Sequence, residues 1–242
     1  MNNGLMDGIL IVDKPGDWTS HDVCAFLRKR FHLHKVGHAG TLDPMATGVL
    51  VILIGRATKF SMQLSSCDKE YAGAMELGYR TDSHDKTGVV LETAPWEGMT
   101  LERVREAALS FTGELIQVPP MVSALKHQGV RLYKLARKGI DVPREGRKIT
   151  VHSLEIFRQE EARFYFSCTV SKGTYLRTLI NDLGAALGCF ATLAELRRVR
   201  SGDFRIENGV TIDALRQMTP TELGRKICPV RLPFSHGNPN RA

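Results

Sequence analysis

The sequence of 242 residues lacks any apolar run long enough to span a bilayer. Its longest, residues 49–54, is far shorter than the roughly 18 residues that a spanning helix needs. The first residues show neither the basic nor the apolar region of a signal peptide. The five cysteines are scattered and form no CxxC pair, which disfavours a zinc site or a disulfide framework. We therefore expect a cytoplasmic protein that makes no membrane contact.

Common catalytic motifs are also missing. The sequence has no Walker loop, no GxGxxG, no HExxH and no nucleophile elbow. Residues 82–85 (Asp-Ser-His-Asp) are a compact polar cluster, but Thr81, Lys86 and Gly88 flank it. This context predicts a solvated turn rather than a metal site, because no second group of ligands accompanies it. We expect neither a metal nor a cofactor.

Positive charge is present in excess and is concentrated in one segment. The formal net charge is +7, and residues 124–148 contain eight basic and two acidic residues, an excess of six. Tyr133 lies among these charges, as expected of a surface that pairs with phosphates and stacks on bases. A second basic stretch occupies residues 28–35. A solvated surface would explain either stretch alone, but together they favour a nucleic-acid partner over a membrane.

Hydrophobic periodicity predicts strands and helices that do not alternate regularly. This order favours an α+β fold with a mixed sheet over a doubly wound parallel sheet. The predicted strands cover residues 8–12, 49–54, 71–79, 149–157 and 163–171, and the predicted helices begin at Ser20, Thr100, Thr174 and the capping box Thr219-Pro220-Thr221-Glu222.

One carboxylate lies in an unusual loop. The run from His38 to Leu50 reads HAGTLDPMATGVL and leads into the apolar strand. Gly40 allows backbone angles that other residues avoid, and Pro44 favours an extended Asp43. An ordinary Asp-Pro turn would account for an isolated pair, but the basic residues that precede this one indicate a rigidly held functional acid.

This loop resembles the catalytic motif of the tRNA pseudouridine synthase B (TruB) family. The resemblance continues through the blocks KEY (residues 69–71), VPPMVSALK (118–126), SKGTYLR (171–177) and LRR (196–198). It implies the pseudouridine synthase fold, a mixed and mostly antiparallel sheet with a central cleft flanked by helices. It also implies an RNA-gripping thumb, which residues 124–148 match.

The resemblance assigns roles to individual residues. Asp43 would be the catalytic aspartate and Arg177 its partner. Tyr71 would be a ring that stacks on the target base and acts as a base later. The sequence leaves open whether Asp43 attacks the sugar, attacks the base or assists deprotonation at C2′. His38 would fill the space left by the flipped base, and Lys14 would support the site loop or contact the RNA backbone. The remaining substrate-binding residues would be Tyr175 and Leu196 in the pocket and Lys126, Arg131 and Lys134 in the thumb.

The implied function is isomerisation of uridine to pseudouridine in the T loop of tRNA, at position 55. The alternatives are a synthase of the same fold acting on another RNA, including guide-dependent relatives, a tRNA-folding chaperone without catalysis, and a generic basic RNA-binding module. We expect a monomer whose catalytic domain covers residues 1–232. Residues 233–242 would form a polar tail, without the PUA-type domain that family members commonly carry and on which guide-dependent relatives rely.

Overall fold

The computed structural model describes residues 6–123, 125–136 and 138–229, so the predicted tail lies outside the described residues. Within these ranges the chain forms fourteen strands and seven α-helices. The strands are β1 (Gly8–Lys14), β2 (Val36–Ala39), β3 (Thr47–Ile54), β4 (Lys69–Leu77), β5 (Tyr79–Thr81), β6 (Val90–Thr93), β7 (Gly113–Gln117), β8 (Lys126–His127), β9 (Val130–Arg131), β10 (Arg147–Glu160), β11 (Arg163–Val170), β12 (Ala191–Ser201), β13 (Phe204–Arg205) and β14 (Val210–Thr211).

The helices are short, and two 3₁₀ turns accompany them at Gly55–Phe60 and Ile206–Asn208. The helices are α1 (Ser20–Phe31), α2 (Ser61–Ser65), α3 (Leu101–Leu109), α4 (Leu132–Ala136), α5 (Leu176–Leu187), α6 (Ile212–Gln217) and α7 (Pro220–Lys226). Among the described residues, no helix is both long and apolar enough to cross a membrane.

Ten strands form one sheet, with the order β14-β1-β3-β12-β4-β11-β10-β7, β2 also pairing with β3 and β13 with β12. Only the β1–β14 and β3–β12 pairs are parallel in the described part of the chain. The predicted α+β class with a mixed, mostly antiparallel sheet is therefore confirmed. Two small hairpins, β5–β6 and β8–β9, lie outside the sheet.

The sheet is covered on both faces around β1 and β3. Leu10 and Leu50 belong to a large hydrophobic core, whereas Ile9 and Val49, their neighbours in sequence, belong to a smaller one on the opposite face. Successive side chains of a strand point to opposite faces, so a continuous apolar run is needed where both faces are buried. This explains the unbroken apolar run of residues 49–54.

Two predicted helix starts were wrong by one or two residues. Thr19, not Ser20, caps α1, and its hydroxyl accepts the Asp22 N–H in a complete capping box. Helix α5 begins at Leu176, after an N-cap at Tyr175 that makes no side-chain cap bond, rather than at Thr174. The first difference matters, because it leaves the Ser20 hydroxyl available for another partner. The capping box predicted at Thr219 is confirmed, with Glu222 three residues later, whereas the box formed by Thr19 and Asp22 was not predicted.

Candidate active site

Asp43 lies in the loop of residues 40–46, between the antiparallel strands β2 and β3. Buried groups hold the backbone on both sides of it. The Ser20 hydroxyl accepts the Leu42 N–H at 2.8 Å and donates to the Leu42 carbonyl at 3.1 Å. The Pro44 carbonyl accepts from Lys14 Nζ at 3.1 Å and from the Asp17 N–H at 2.9 Å. The carboxylate is thus carried on a fixed backbone that leads into the interior strand β3.

Arg198 of β12 anchors the beginning of the same loop. Its fully buried guanidinium donates to the carbonyls of Gly40, Thr41 and Val49 at 3.2, 3.3 and 2.7 Å. Strand β12 can approach this closely because the facing residue is Gly48, with φ of +98°. A Cβ at Gly48 would collide with the Arg198 backbone, so glycine is required by both space and backbone angle.

Lys14 is entirely buried at the end of β1. Its ammonium group donates to three carbonyls, those of Pro15, Trp18 and Pro44, at 2.7, 2.7 and 3.1 Å. Burial lowers the pKa of Lys14 to about 8, although the negative charge of Asp43 opposes the shift. Of the two predicted roles for Lys14, this geometry fits support of the loop, since a phosphate cannot reach an amine enclosed in this way.

Arg177 brings three segments of the chain together. From a position only 3% exposed, it donates through Nε to Oδ2 of Asp43 at 2.8 Å, and the Asp43 side chain is 39% exposed. Its other two nitrogens donate to the carbonyls of Ser83 and Val122, both at 2.9 Å. Arg177 thus donates one hydrogen bond to the Asp43 carboxylate, and the rest of the guanidinium holds backbone carbonyls.

Asp85 corrects the interpretation of residues 82–85 as a solvated turn. Asp82 is exposed, but the Asp85 side chain is 7% exposed and its Oδ2 lies 3.6 Å from Nε of Arg177. Its Oδ1 accepts from the Ser83 hydroxyl and the Thr87 N–H at 2.8 and 2.9 Å. The turn thus supplies a second carboxylate to the buried arginine. Across the described residues, no group of three or more His, Cys, Asp or Glu side chains could hold a metal ion.

The two predicted tyrosines lie within the electrostatic influence of Asp43. Burial raises the pKa of Tyr71 in β4, and the Asp43 charge adds to this increase. Burial and the Asp43 charge likewise raise the pKa of Tyr175. Both phenols therefore keep their protons at neutral pH. The backbone of Tyr175 is fixed by Gln117, whose amide accepts the Tyr175 N–H at 2.8 Å and donates to its carbonyl at 3.1 Å.

Leu196 and His38 complete the set of predicted pocket residues. Leu196 of β12 is buried and pairs with Gly73, while Arg198 pairs with Tyr71, so Leu196 is diagonal to the Tyr71 ring. His38 of β2 is half-buried, and its Nδ1 has no hydrogen-bond partner among the described residues. Burial and the charge of Arg198 lower the pKa of His38, which leaves the imidazole neutral at pH 7.

The predicted thumb contains the β8–β9 hairpin followed by α4. Lys126 and Arg131 are paired across the hairpin, and both are exposed, as is Lys134 on the helix. Ala124 and Arg137 lie outside the described residues. Val122, at the base of this segment, accepts the hydrogen bond from Arg177, so the segment leaves the fold beside Asp43.

The sequence interpretation missed four residues of this site. They are Ser20, Asp85, Gln117 and Arg198. Arg198 was included in a motif but received no role, and Ser20 was assigned to a helix cap. Each of the four is buried and polar in the folded protein, but each contacts a residue of the site that is distant in sequence. A signal for Arg198 was present in the sequence. It lies two residues after Leu196, and residues two apart in a strand point to the same face.

Comparison with known proteins identifies the family. Residues 28–176 match the TruB family pseudouridylate synthase (N terminal domain), and residues 177–232 match the tRNA pseudouridylate synthase B C-terminal domain. A protein of Opitutus terrae named tRNA pseudouridine synthase B is 48% identical over 93% of this chain and 93% of its own length. One from Geotalea uraniireducens with the same name is 46% identical over 96% of this chain and 75% of its own length. The chain belongs to the TruB family of pseudouridine synthases, which confirms the resemblance.

Solved structures agree with this assignment. The chain is similar to one in a Cbf5-Nop10-Gar1 complex, with a TM-score of 0.67, 34% identity and 86% of this chain covered. It is also similar to one in an H/ACA RNP bound to a substrate RNA containing 2′-deoxyuridine, with a TM-score of 0.64, 30% identity and 86% covered. The chain spans about half the length of these solved chains, 53% and 52%. The pseudouridine synthase fold is thereby confirmed.

Proposed function

We propose that this enzyme isomerises uridine to pseudouridine in the T loop of tRNA, at position 55, and that Asp43 is its catalytic residue. The observation that carries the proposal is a part-exposed carboxylate bonded to a buried guanidinium, on a loop whose backbone is fixed on both sides. The names of relatives that are 44–48% identical support tRNA as the substrate.

The reaction needs a carboxylate but no oxidant, reductant or energy source. The N1–C1′ bond breaks, the base turns, C5 bonds to C1′, the proton on C5 leaves and N1 gains a proton. Because Arg177 bonds Oδ2 of Asp43, we assign Oδ1 to the nucleotide. There it can stabilise positive charge at C1′, form a bond to the sugar or the base, or take the C2′ proton. Fixing one oxygen with a buried group orients the other before the substrate binds.

The target base would lie against Tyr71, with Tyr175 and Leu196 lining the same pocket. Since burial raises the pKa of Tyr71, its phenol holds a proton at neutral pH, and we assign stacking to the ring. A uridine inside a folded loop must be flipped out before it can reach such a pocket. His38 would fill the gap that the flipped uridine leaves, because a neutral imidazole can stack between bases without bringing a charge into the RNA loop.

The thumb would hold the RNA through its exposed cations Lys126, Arg131 and Lys134. The hydrogen bond between Arg177 and the Val122 carbonyl supports a thumb that leaves the fold beside the Asp43 carboxylate. RNA gripped by the thumb would then approach Asp43 from the side on which the carboxylate is exposed. We treat the protein as a monomer that needs no metal or cofactor for this reaction.

The test is single-turnover reaction of the purified protein with unmodified tRNA transcript, followed by mapping of pseudouridine. We expect product at position 55 without any added guide RNA, and more than about a 100-fold lower rate for Asp43→Asn with similar RNA affinity. Asp213→Asn, an exposed acid on α6, is the matched control. Activity that needs a guide RNA would favour the guide-dependent alternative, and product from Asp43→Asn would overturn the catalytic assignment.

A further inference from the structure

We infer that Ser20 is a positioning residue for catalysis, which sets the place of Asp43 by holding the preceding residue at two points. This inference rests on the proposed role of Asp43. Ser20 opens α1, yet the helix is capped by Thr19, so the Ser20 hydroxyl has no capping function. It is 2% exposed and bonds both the N–H and the carbonyl of Leu42, 22 residues further along the chain.

The two-point contact restrains the loop more strongly than either hydrogen bond alone. A hydroxyl that accepts from an N–H and donates to the carbonyl of the same residue fixes both position and orientation of that residue. The Leu42 side chain is itself buried, so the backbone is held from one side by Ser20 and the side chain by the core. The next residue is Asp43, followed by Pro44, whose ring leaves the backbone little freedom.

Other side chains bond this loop at residues other than Leu42. Arg198 bonds the carbonyls of Gly40 and Thr41, and Lys14 bonds that of Pro44. Among the described residues, Ser20 is the one side chain that bonds the backbone of Leu42. Removing its hydroxyl would leave a donor and an acceptor without their partner in a buried place, and the loop would shift to satisfy them.

The consequence falls on the chemical step rather than on RNA binding. A reacting group displaced by about 1 Å can lose about 100-fold in rate. The exposed thumb cations that we assign to RNA binding are on other segments, so affinity would not change. The residue that separates this role from simple stabilisation is Thr19, because it caps the same helix, is exposed and bonds within its own helix turn.

The experiment compares Ser20→Ala with Thr19→Ala in single-turnover assays at saturating enzyme, with RNA affinity and amide exchange at Leu42 measured in parallel. For Ser20→Ala we expect a rate about 10- to 100-fold lower, RNA affinity within about twofold, and faster exchange of the Leu42 amide. For Thr19→Ala we expect a lower melting temperature but a nearly unchanged rate and Leu42 exchange. Ser20→Thr, which keeps the hydroxyl, tests rescue.

A wild-type rate in Ser20→Ala, or equal decreases of rate and affinity, would overturn the inference. If Ser20→Ala does not fold, Ser20→Cys, which keeps a similar volume but bonds weakly, is compared in the same way. The wild type and Asp43→Asn are measured alongside. An active Asp43→Asn would refute the proposed function, whereas an inactive Asp43→Asn with a fully active Ser20→Ala would refute only the role of Ser20.

Discussion

Arg177 bonds Asp43 through Nε alone, at 2.8 Å, and uses its other two nitrogens for the carbonyls of Ser83 and Val122. The arginine is therefore a junction between the carboxylate loop, the β5–β6 hairpin and the base of the thumb. A buried guanidinium serves these three acceptors in three directions through its planar fork, which a lysine ammonium cannot reproduce.

Arg177→Lys should therefore lower the rate of the chemical step by about 100-fold while changing RNA affinity by less than about threefold. The ammonium could bond Asp43 or the carbonyls, but not all of them at the distances observed. Single-turnover rates and filter binding would measure the two effects separately. Arg216→Lys, at an exposed arginine, is the control. Equal decreases of rate and affinity would instead place Arg177 on the RNA.

Asp85→Asn should slow the reaction by about 10-fold, equal to about 1.4 kcal/mol, and by less than Asp43→Asn. The amide keeps the shape of the carboxylate, but a negative charge is removed 3.6 Å from the buried guanidinium. Asp82→Asn, in the exposed part of the same turn, should have little effect on the rate. A larger decrease for Asp82→Asn than for Asp85→Asn would contradict the placement of Asp85 in the site.

His84 should make the protein less stable at low pH. Burial lowers the pKa of His84 to about 4, and the charges of Arg177, Arg144 and Arg80 act in the same direction while Asp85 opposes them. Its pKa in the unfolded chain is about 6.5. Between these values the unfolded chain binds more protons than the folded one, so the free energy of unfolding falls as the pH falls.

His84→Asn should remove this dependence of stability on pH, because asparagine does not titrate. Asparagine is chosen because it tolerates the left-handed backbone at this position, where φ is 62°. Urea unfolding at pH 7 and at about pH 4.5 should show that acidification lowers the free energy of unfolding of the variant by about 1–3 kcal/mol less than that of the wild type. His32→Asn, at an exposed histidine that also has left-handed backbone, controls for the exchange. Identical decreases in wild type and His84→Asn would refute the prediction.

Replacing Lys126, Arg131 and Lys134 together by alanine should weaken RNA binding and flatten its dependence on salt. For each phosphate that the variant no longer neutralises, the slope of log K against log salt should become shallower by about 0.7 to 0.9. Affinities measured between about 50 and 200 mM salt would give the slope. The triple change of Arg216, Arg225 and Lys226 to alanine removes the same charge from α6 and α7. Equal slopes for both triple variants would mean that the RNA follows another face.

The local pattern of the sequence predicted what depends on neighbours along the chain. The apolar run of residues 49–54, the capping box at Thr219 and the alternation in β11 all have the expected structure, because periodicity and caps act over a few residues. Asp43 was singled out for the same reason, since the Gly and Pro that shape its loop lie close to it in the sequence.

The supports of the site escaped prediction because they depend on tertiary interactions. Ser20 bonds a residue 22 positions away, Gln117 one 58 positions away and Arg198 one 158 positions away. Asp85 was interpreted from its polar neighbours, but in the fold Arg177, 92 residues away, lies 3.6 Å from its Oδ2. A serine, a glutamine or an acid in a local window carries no sign of such a partner.

The separation of Asp43 from Arg177 by 134 residues also has a consequence for how the protein folds during its synthesis. The two residues fall on opposite sides of the boundary at 176/177 between the two matched family segments. During synthesis the carboxylate leaves the ribosome long before the guanidinium, and pairings this distant in sequence form slowly. A nascent chain thus carries the acid without its arginine until the second matched segment has been synthesised and has folded against the first.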